Sequence, residues 1–292
     1  EAKYTSSHAN FNPNEVNHIV HNDVVYFYGP YFNGKNLEQR KLSAFRDPDL
    51  FNMNFIDRIS FILSFLNSLQ NLHQNQRLVV NDLNPRNTMV NKDFFTSPSS
   101  EDEKFKNQPI ISANIVDLGF ALPFAPEEKE RKIGNIIGTP LYIPPEMVKN
   151  RISSFFGDIF SAVSVIILIF SQLYYFNRKG VSQISSSDNF ENKAKKMAQN
   201  PKFEMDFMFY FLNKDEKNKH KKILSLITRF LNLMQNEKYT QRPLIDECII
   251  FFEEIRKILV LKQLLEENNE ETNKDLGFTS EQIKIEIEEK YE

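Results

Sequence analysis

The sequence predicts an α+β chain in which helices dominate and a few short strands come early. Three observations carry this. Apolar residues recur at Phe55, Ile56, Ile59, Ile62, Leu63, Leu66 and Leu69, which is helical spacing with one broad face to bury. From about residue 145 onward nearly every segment reads as helix, including the apolar run Ile159–Phe170 and the stretches 220–234 and 244–265. The β-rich runs are short and confined to the first half: Val24–Tyr28, Met89-Val90, Ile110-Ile111 and Ile115-Val116.

In chain order, residues 1–15 are polar and without period. Val24-Val25-Tyr26-Phe27-Tyr28 is closed by Gly29-Pro30, with Asn33-Gly34 as a turn signal. His18 and His21 fall just ahead of this first clear strand and receive no role. The period from Phe55 to Leu72 makes a helix. Thr96–Glu103 has no means of burying itself and reads as a loop, part of a flexible insertion over 92–110. Ile159–Phe170 is about twelve residues, against the roughly 20 that a membrane span needs. It is interrupted by Ser161 and Ser164 and preceded by Asp158 in an N-cap position, so it reads as a helix buried on all sides.

With 41% hydrophobic and 26% charged residues and a formal net charge of −3, the 292-residue chain has an ordinary globular composition. Residues 253–292 hold 12 acidic and 6 basic side chains, a local −6, so residues 1–252 come to −3 + 6 = +3. That is far from a nucleic-acid-binding stripe, and no nucleic-acid partner is expected. The single cysteine, Cys248, lies in an apolar run, and no signal- or transit-peptide pattern opens the chain. The expected setting is therefore reducing and intracellular, in the cytoplasm.

Three stretches carry the chemistry. They are Val79-Val80-Asn81-Asp82-Leu83-Asn84-Pro85-Arg86-Asn87-Thr88-Met89-Val90, then Ile115-Val116-Asp117-Leu118-Gly119-Phe120, then Gly138-Thr139-Pro140-Leu141-Tyr142-Ile143-Pro144-Pro145-Glu146. Asp82 and Asn87 stand five apart in a Pro-containing loop after an apolar strand, and an Asp-x-Gly follows another strand. Carboxylate and amide oxygens at strand ends are hard donors, suited to Mg²⁺ with phosphate oxygens completing the shell.

These stretches resemble the eukaryotic protein kinases, and specifically their larger, C-terminal lobe. The resemblance implies a protein-kinase-like fold, mainly the helical lobe with a truncated smaller one. Residues 1–34 would be a remnant of the smaller lobe's sheet and the hinge, 35–262 the larger lobe with an activation segment at 117–146, and 263–292 an acidic tail. It implies ATP and Mg²⁺ as cofactors, with Asp82 taking the substrate hydroxyl proton and Asn87 and Asp117 as metal ligands. Gly29, Pro30 and Tyr31 would form the hinge against the adenine, with Met89 beneath the ring. The Gly-Thr-Pro-x-Tyr form is closer to serine/threonine kinases than to tyrosine kinases. Asp158 resembles the aspartate that holds the catalytic-loop backbone. Arg242, in Gln241-Arg242-Pro243, resembles the arginine that pairs with the glutamate of the Ala-Pro-Glu motif, here Glu146.

The departures are as informative. No G-x-G-x-x-G loop and no lysine of the V-A-I-K type precede residue 24, and the chain alone is expected to be inactive. The loop's His-Arg become Val80-Asn81, and no Ser, Thr or Tyr lies between Gly119 and Thr139. The arginine that receives an activation-segment phosphate and the residue that would carry it are absent together, so no phosphorylation switch is expected there. Asn84 replaces the loop lysine. Arg86 sits where tyrosine kinases place an arginine, and is the expected contact to the transferring phosphoryl group.

Plainer readings stand beside these. Asp82, Asn87 and Asp117 taken singly are common turn and cap residues, and Arg86 taken singly is a solvated loop residue. The five histidines show no metal-ligand spacing, which leaves surface or cap roles. Cys248 reads as a small core residue, and Lys193, Lys195 and Lys196 as a solvated helix face. The charged tail reads as a solvated helix or a disordered end, or else its apolar positions Ile255, Leu259, Leu261, Leu264 and Leu265 dock a partner. Two functions follow: a serine/threonine-type kinase acting on a protein substrate, or an inactive pseudokinase serving as scaffold or subunit for a protein partner.

Overall fold

Because helix α1 (Phe55–Gln70) turns one apolar stripe inward, it becomes an axis of the core. Ile59, Ile62, Leu66 and Leu69 are wholly buried. Asn54 caps it, accepting the Asp57 N–H at 2.8 Å, and a π-helical turn at Asn71–Asn75 carries the buried surface on through Leu72 and His73. The computed structural model describes residues 17–21, 24–28, 35–37, 53–91, 112–171, 187–198, 209 and 212–266. The hinge residues Gly29, Pro30 and Tyr31, the 92–110 insertion and the tail beyond residue 266 lie outside the described residues.

Strand β1 (Asn17–His21) pairs antiparallel with β2 (Val24–Tyr28), so His18 and His21 lie within a strand rather than ahead of one. A second sheet has the order β3 (Lys35–Asn36), β5 (Thr88–Asn91), β6 (Ser112–Ile115), all antiparallel. Its outer strand leans on α1: the Ala113 N–H donates to Ser64 Oγ at 3.0 Å, and Ser68 Oγ donates to the Ala113 carbonyl at 2.6 Å. Two short ladders tie loops to the body. Strand β4 (Leu78–Val79) pairs with β7 (Leu122–Pro123), and β8 (Glu130–Lys132) pairs with β9 (Ile152–Ser154).

The remaining chain is helical: α2 (Pro145–Asn150), α3 (Phe155–Ser171), α4 (Phe190–Ala198), α5 (Lys214–Lys219), α6 (Lys221–Met234) and α7 (Ile245–Glu266). The apolar run predicted to be buried all round is α3, whose residues 157–170 are all buried. Its hydroxyls turn back to backbone: Ser161 Oγ donates to the Tyr142 carbonyl at 2.8 Å and Ser164 Oγ to the Ser161 carbonyl at 2.6 Å. No helix among the described residues is long and apolar enough to cross a membrane. Helix α7 buries Cys248, Phe252, Ile255 and Leu259 against this core, so the start of the charged tail packs within the chain instead of standing solvated, while the side chains of Leu264 and Leu265 lie outside the described residues. Gln70, at the end of α1, and Gln74, in the π-helical turn, hold Asp246 at the start of α7, at 2.6 and 2.7 Å. A smaller apolar cluster of Ile143, Met147, Val148 and Ala194, with Ile133, Ile136 and Ile137 against it, packs the end of the activation segment on α2 and α4.

Candidate active site

The site is built on one buried carboxylate. Helix α3 begins at Phe155, so Asp158 lies within its first turn and is not its N-cap. Its side chain reaches across to the loop after β4 instead. Oδ2 accepts the Val80 N–H at 2.7 Å and Oδ1 the Asn81 N–H at 2.9 Å. His73 Nε2 lies 2.9 Å from Oδ2. All three partners are buried, and satisfying them this way fixes the loop to the centre of the core. His73 therefore has neither of the surface or cap roles expected of it. It extends the inward stripe of α1, four residues beyond Leu69, and that spacing was the signal for it.

From this anchor the chain turns through Asn81, in the left-handed region at φ 63°, and presents Asp82. The Asp82 carboxylate is nearly buried and held by three donors. Thr139 N–H donates to Oδ1 at 2.7 Å, Asn84 Nδ2 to Oδ1 at 3.0 Å, and Asn87 Nδ2 to Oδ2 at 3.1 Å. Burial pushes its pKa above the ordinary aspartate value, against the opposing pull of those hydrogen bonds. Asn84 also shapes the turn that follows. Its Oδ1 accepts the N–H groups of Arg86 (2.9 Å) and Asn87 (3.2 Å), capping the 3₁₀ turn Pro85–Asn87. The neutral residue at the lysine position is thus a structural clasp. Arg86 is exposed at the turn's outer side.

Asn87 is buried, and its Nδ2 also donates to the Asp82 carbonyl at 3.0 Å, which leaves Oδ1 as the amide's other polar atom. The β5–β6 hairpin brings the second motif alongside. Thr88 faces Ile115 in register, and the Val116 N–H donates to the Asn87 carbonyl at 2.9 Å. Asp117 follows immediately, exposed and at φ 58°, a conformation uncommon for a non-glycine residue. Met89 is half-buried on β5, opposite Asn114 and Asn36. Among the described residues no group of three or more His, Cys, Asp or Glu is placed to hold a metal. A cation here would rest on Asn87 and Asp117 with oxygens from elsewhere. That donor set is hard, as Mg²⁺ prefers.

Residues 117–146 are tied to the body at several points. Arg77 donates to the carbonyls of Ala125, Pro126 and Glu128 at 2.7–2.8 Å and sits over the Phe155 ring. Arg131 pairs with Glu128 and covers Phe124. Tyr239 Oη donates to Glu130 Oε2 at 2.7 Å. Gly138 has φ 102° and packs so tightly that a Cβ there would lie 2.5 Å from the Asn81 carbonyl oxygen. At the segment's end Glu146 meets Arg242 bidentately, at 2.6 and 2.8 Å, both side chains buried. Sequence reasoning missed the β8–β9 ladder, because Glu130-Arg131-Lys132 has no apolar alternation to mark a strand.

The model of the protein kinase domain family matches residues 15–250, which spans both motifs, the activation segment and Arg242. No curated protein matches the chain.

Proposed function

The chain belongs to the protein kinase family, and from that membership we propose ATP- and Mg²⁺-dependent phosphoryl transfer to protein serine or threonine, when a complete smaller lobe clamps the nucleotide. The observation that carries this reading is Asp82. Its carboxylate sits at the end of a loop anchored by Asp158, aimed by three donors, with burial raising its basicity. With nucleotide bound, Asp82 would accept the proton of the acceptor hydroxyl as that oxygen bonded the γ-phosphorus and ADP left with the electron pair of the broken β,γ-bridging bond. Bound Mg²⁺–ATP supplies the transferable group and neutralises part of its charge. Asn87 Oδ1 and the Asp117 carboxylate would hold the metal and Arg86 would steady the γ-phosphoryl oxygens, while the family resemblance assigns Gly29, Pro30, Tyr31 and Met89 to the adenine.

A second reading is supported by Asn84, whose neutral amide occupies the seat of the loop lysine. In that reading the chain is a pseudokinase-like scaffold or subunit. Thermal denaturation with Mg²⁺–ATP separates the two. A nucleotide-dependent rise in Tm that vanishes in Asp117→Ala supports the enzyme. An unchanged Tm at millimolar nucleotide favours the scaffold.

A further inference from the structure

We propose that Asn81 is a positioning residue whose side-chain amide ties the start of the activation segment to the strand that pairs with its middle, with neutral hydrogen bonds in place of a phosphate–arginine pair. Asn81 is 8% exposed, and both ends of its amide are committed. Nδ2 donates to the Phe120 carbonyl at 3.0 Å, where the segment leaves the Asp117-Leu118-Gly119 turn, and to the Val79 carbonyl at 3.2 Å. Oδ1 accepts from Ser153 Oγ at 2.7 Å. Ser153 belongs to β9 and faces Arg131 of β8 in register, so this bond reaches the middle of the segment through the ladder. The Asn81 carbonyl meanwhile abuts Gly138, near the segment's end. The amide thus bonds the start of the segment and the strand paired with its middle, the Asn81 carbonyl lies against Gly138 near its close, and Asp158 holds that residue in turn.

The residue type suits this position. The backbone turns left-handed here, a conformation that asparagine tolerates better than most side chains. An amide offers a donor and an acceptor at opposite ends, which matches one carbonyl and one hydroxyl. A charged guanidinium has no acceptor to give Ser153, and the residues between Gly119 and Thr139 include no hydroxyl to carry a phosphate for it. The ordering of the segment is therefore a property of the unmodified chain. Because Asp82 takes the Thr139 N–H, the same tie holds one of the donors that aim that carboxylate. This deepens the reading of the site given above and rests on it for its meaning in catalysis.

The test is hydrogen exchange resolved by peptide, with limited tryptic cleavage at Lys129, Arg131 and Lys132 in parallel. Both are performed on the unphosphorylated chain and read without nucleotide. Asn81→Gly deletes the amide while keeping the left-handed backbone easy. The expected result is at least tenfold faster exchange across 119–134 and 152–154, and faster cleavage at the three basic residues, with the peptides of α1 and α7 protected as before. Ser153→Ala, which removes only one bond, is expected to give a smaller change confined to 130–134 and 152–154. Wild-type protection of the segment in both variants overturns the proposal. So does an equal loss of protection over the whole chain, which marks a general structural role. Failure of the nucleotide assay alone would remove phosphoryl transfer and leave this tie standing.

Discussion

Replacing Arg242 with methionine tests how the helical body is joined to the activation segment. The guanidinium makes five contacts at once. Nη1 and Nη2 bind the Glu146 carboxylate at 2.6 and 2.8 Å, Nη1 also reaches the Phe156 carbonyl at 3.0 Å, Nε donates to the Asn236 carbonyl at 2.9 Å, and the cation lies 4.8 Å from the Phe160 ring centroid. Methionine fills much of the volume and none of the polar needs, so Glu146 is left charged, buried and alone. Breaking a buried pair from one side costs about 3–5 kcal/mol, dominated by that stranded charge rather than by the attraction lost. For a domain of this size it corresponds to a fall in Tm on the order of 10 °C. Urea unfolding of Arg242→Met, Glu146→Gln and the double variant gives the measurement. The double variant is expected to cost less than the two singles added, because it strands no charge. A cost below about 1 kcal/mol for Arg242→Met, or simple additivity, would refute the reasoning.

Asp158→Ala orphans the Val80 and Asn81 N–H groups and should cost about 1–3 kcal/mol for each buried donor left unmet in urea unfolding, with exchange fastest at 78–84; uniform exchange would contradict it. His73→Phe keeps the ring volume and leaves Val80 alone on Asp158 Oδ2. A loss of about 1–3 kcal/mol is expected, and an unchanged midpoint would show that the His73 contact contributes nothing. Gly138→Ala combines φ 102° with a Cβ 2.5 Å from a backbone oxygen, so it should destabilise by more than about 1 kcal/mol, and full wild-type stability would mean the segment can shift freely. Since Asp82 holds its proton to a higher pH folded than unfolded, its ionisation opposes folding. Its contribution should decline as pH rises from about 4 through the folded pKa, and Asp82→Asn should remove that slope from a stability–pH curve.

The helical body was legible because its signals are local. The stripe Ile59, Ile62, Leu66, Leu69 can be read one turn at a time, and α3 declares itself by an apolar run too short for a membrane. The Glu146–Arg242 pair was legible only through the resemblance to the kinase motifs that carry both residues, because nothing local links two charges 96 residues apart. What escaped was the long-range backbone pairing. Strand β1 contains Asn17, His18 and His21, and β8 is made of three charged residues, so neither carries a period-2 pattern. Both exist because a partner strand satisfies their backbone, which no local pattern announces. The clasping roles of Asn84 and His73 were hidden likewise, because a polar side chain shows its type in a sequence but not which atoms it will meet.

The bracket of Ser64 and Ser68 over Ala113 has a consequence for solubility. Among the described residues Ala113 lies on an outermost strand, whose N–H and carbonyl would otherwise offer a template to any extended chain. Two serine hydroxyls from a helix occupy both groups, so at that residue a stray peptide finds no bonds left to make.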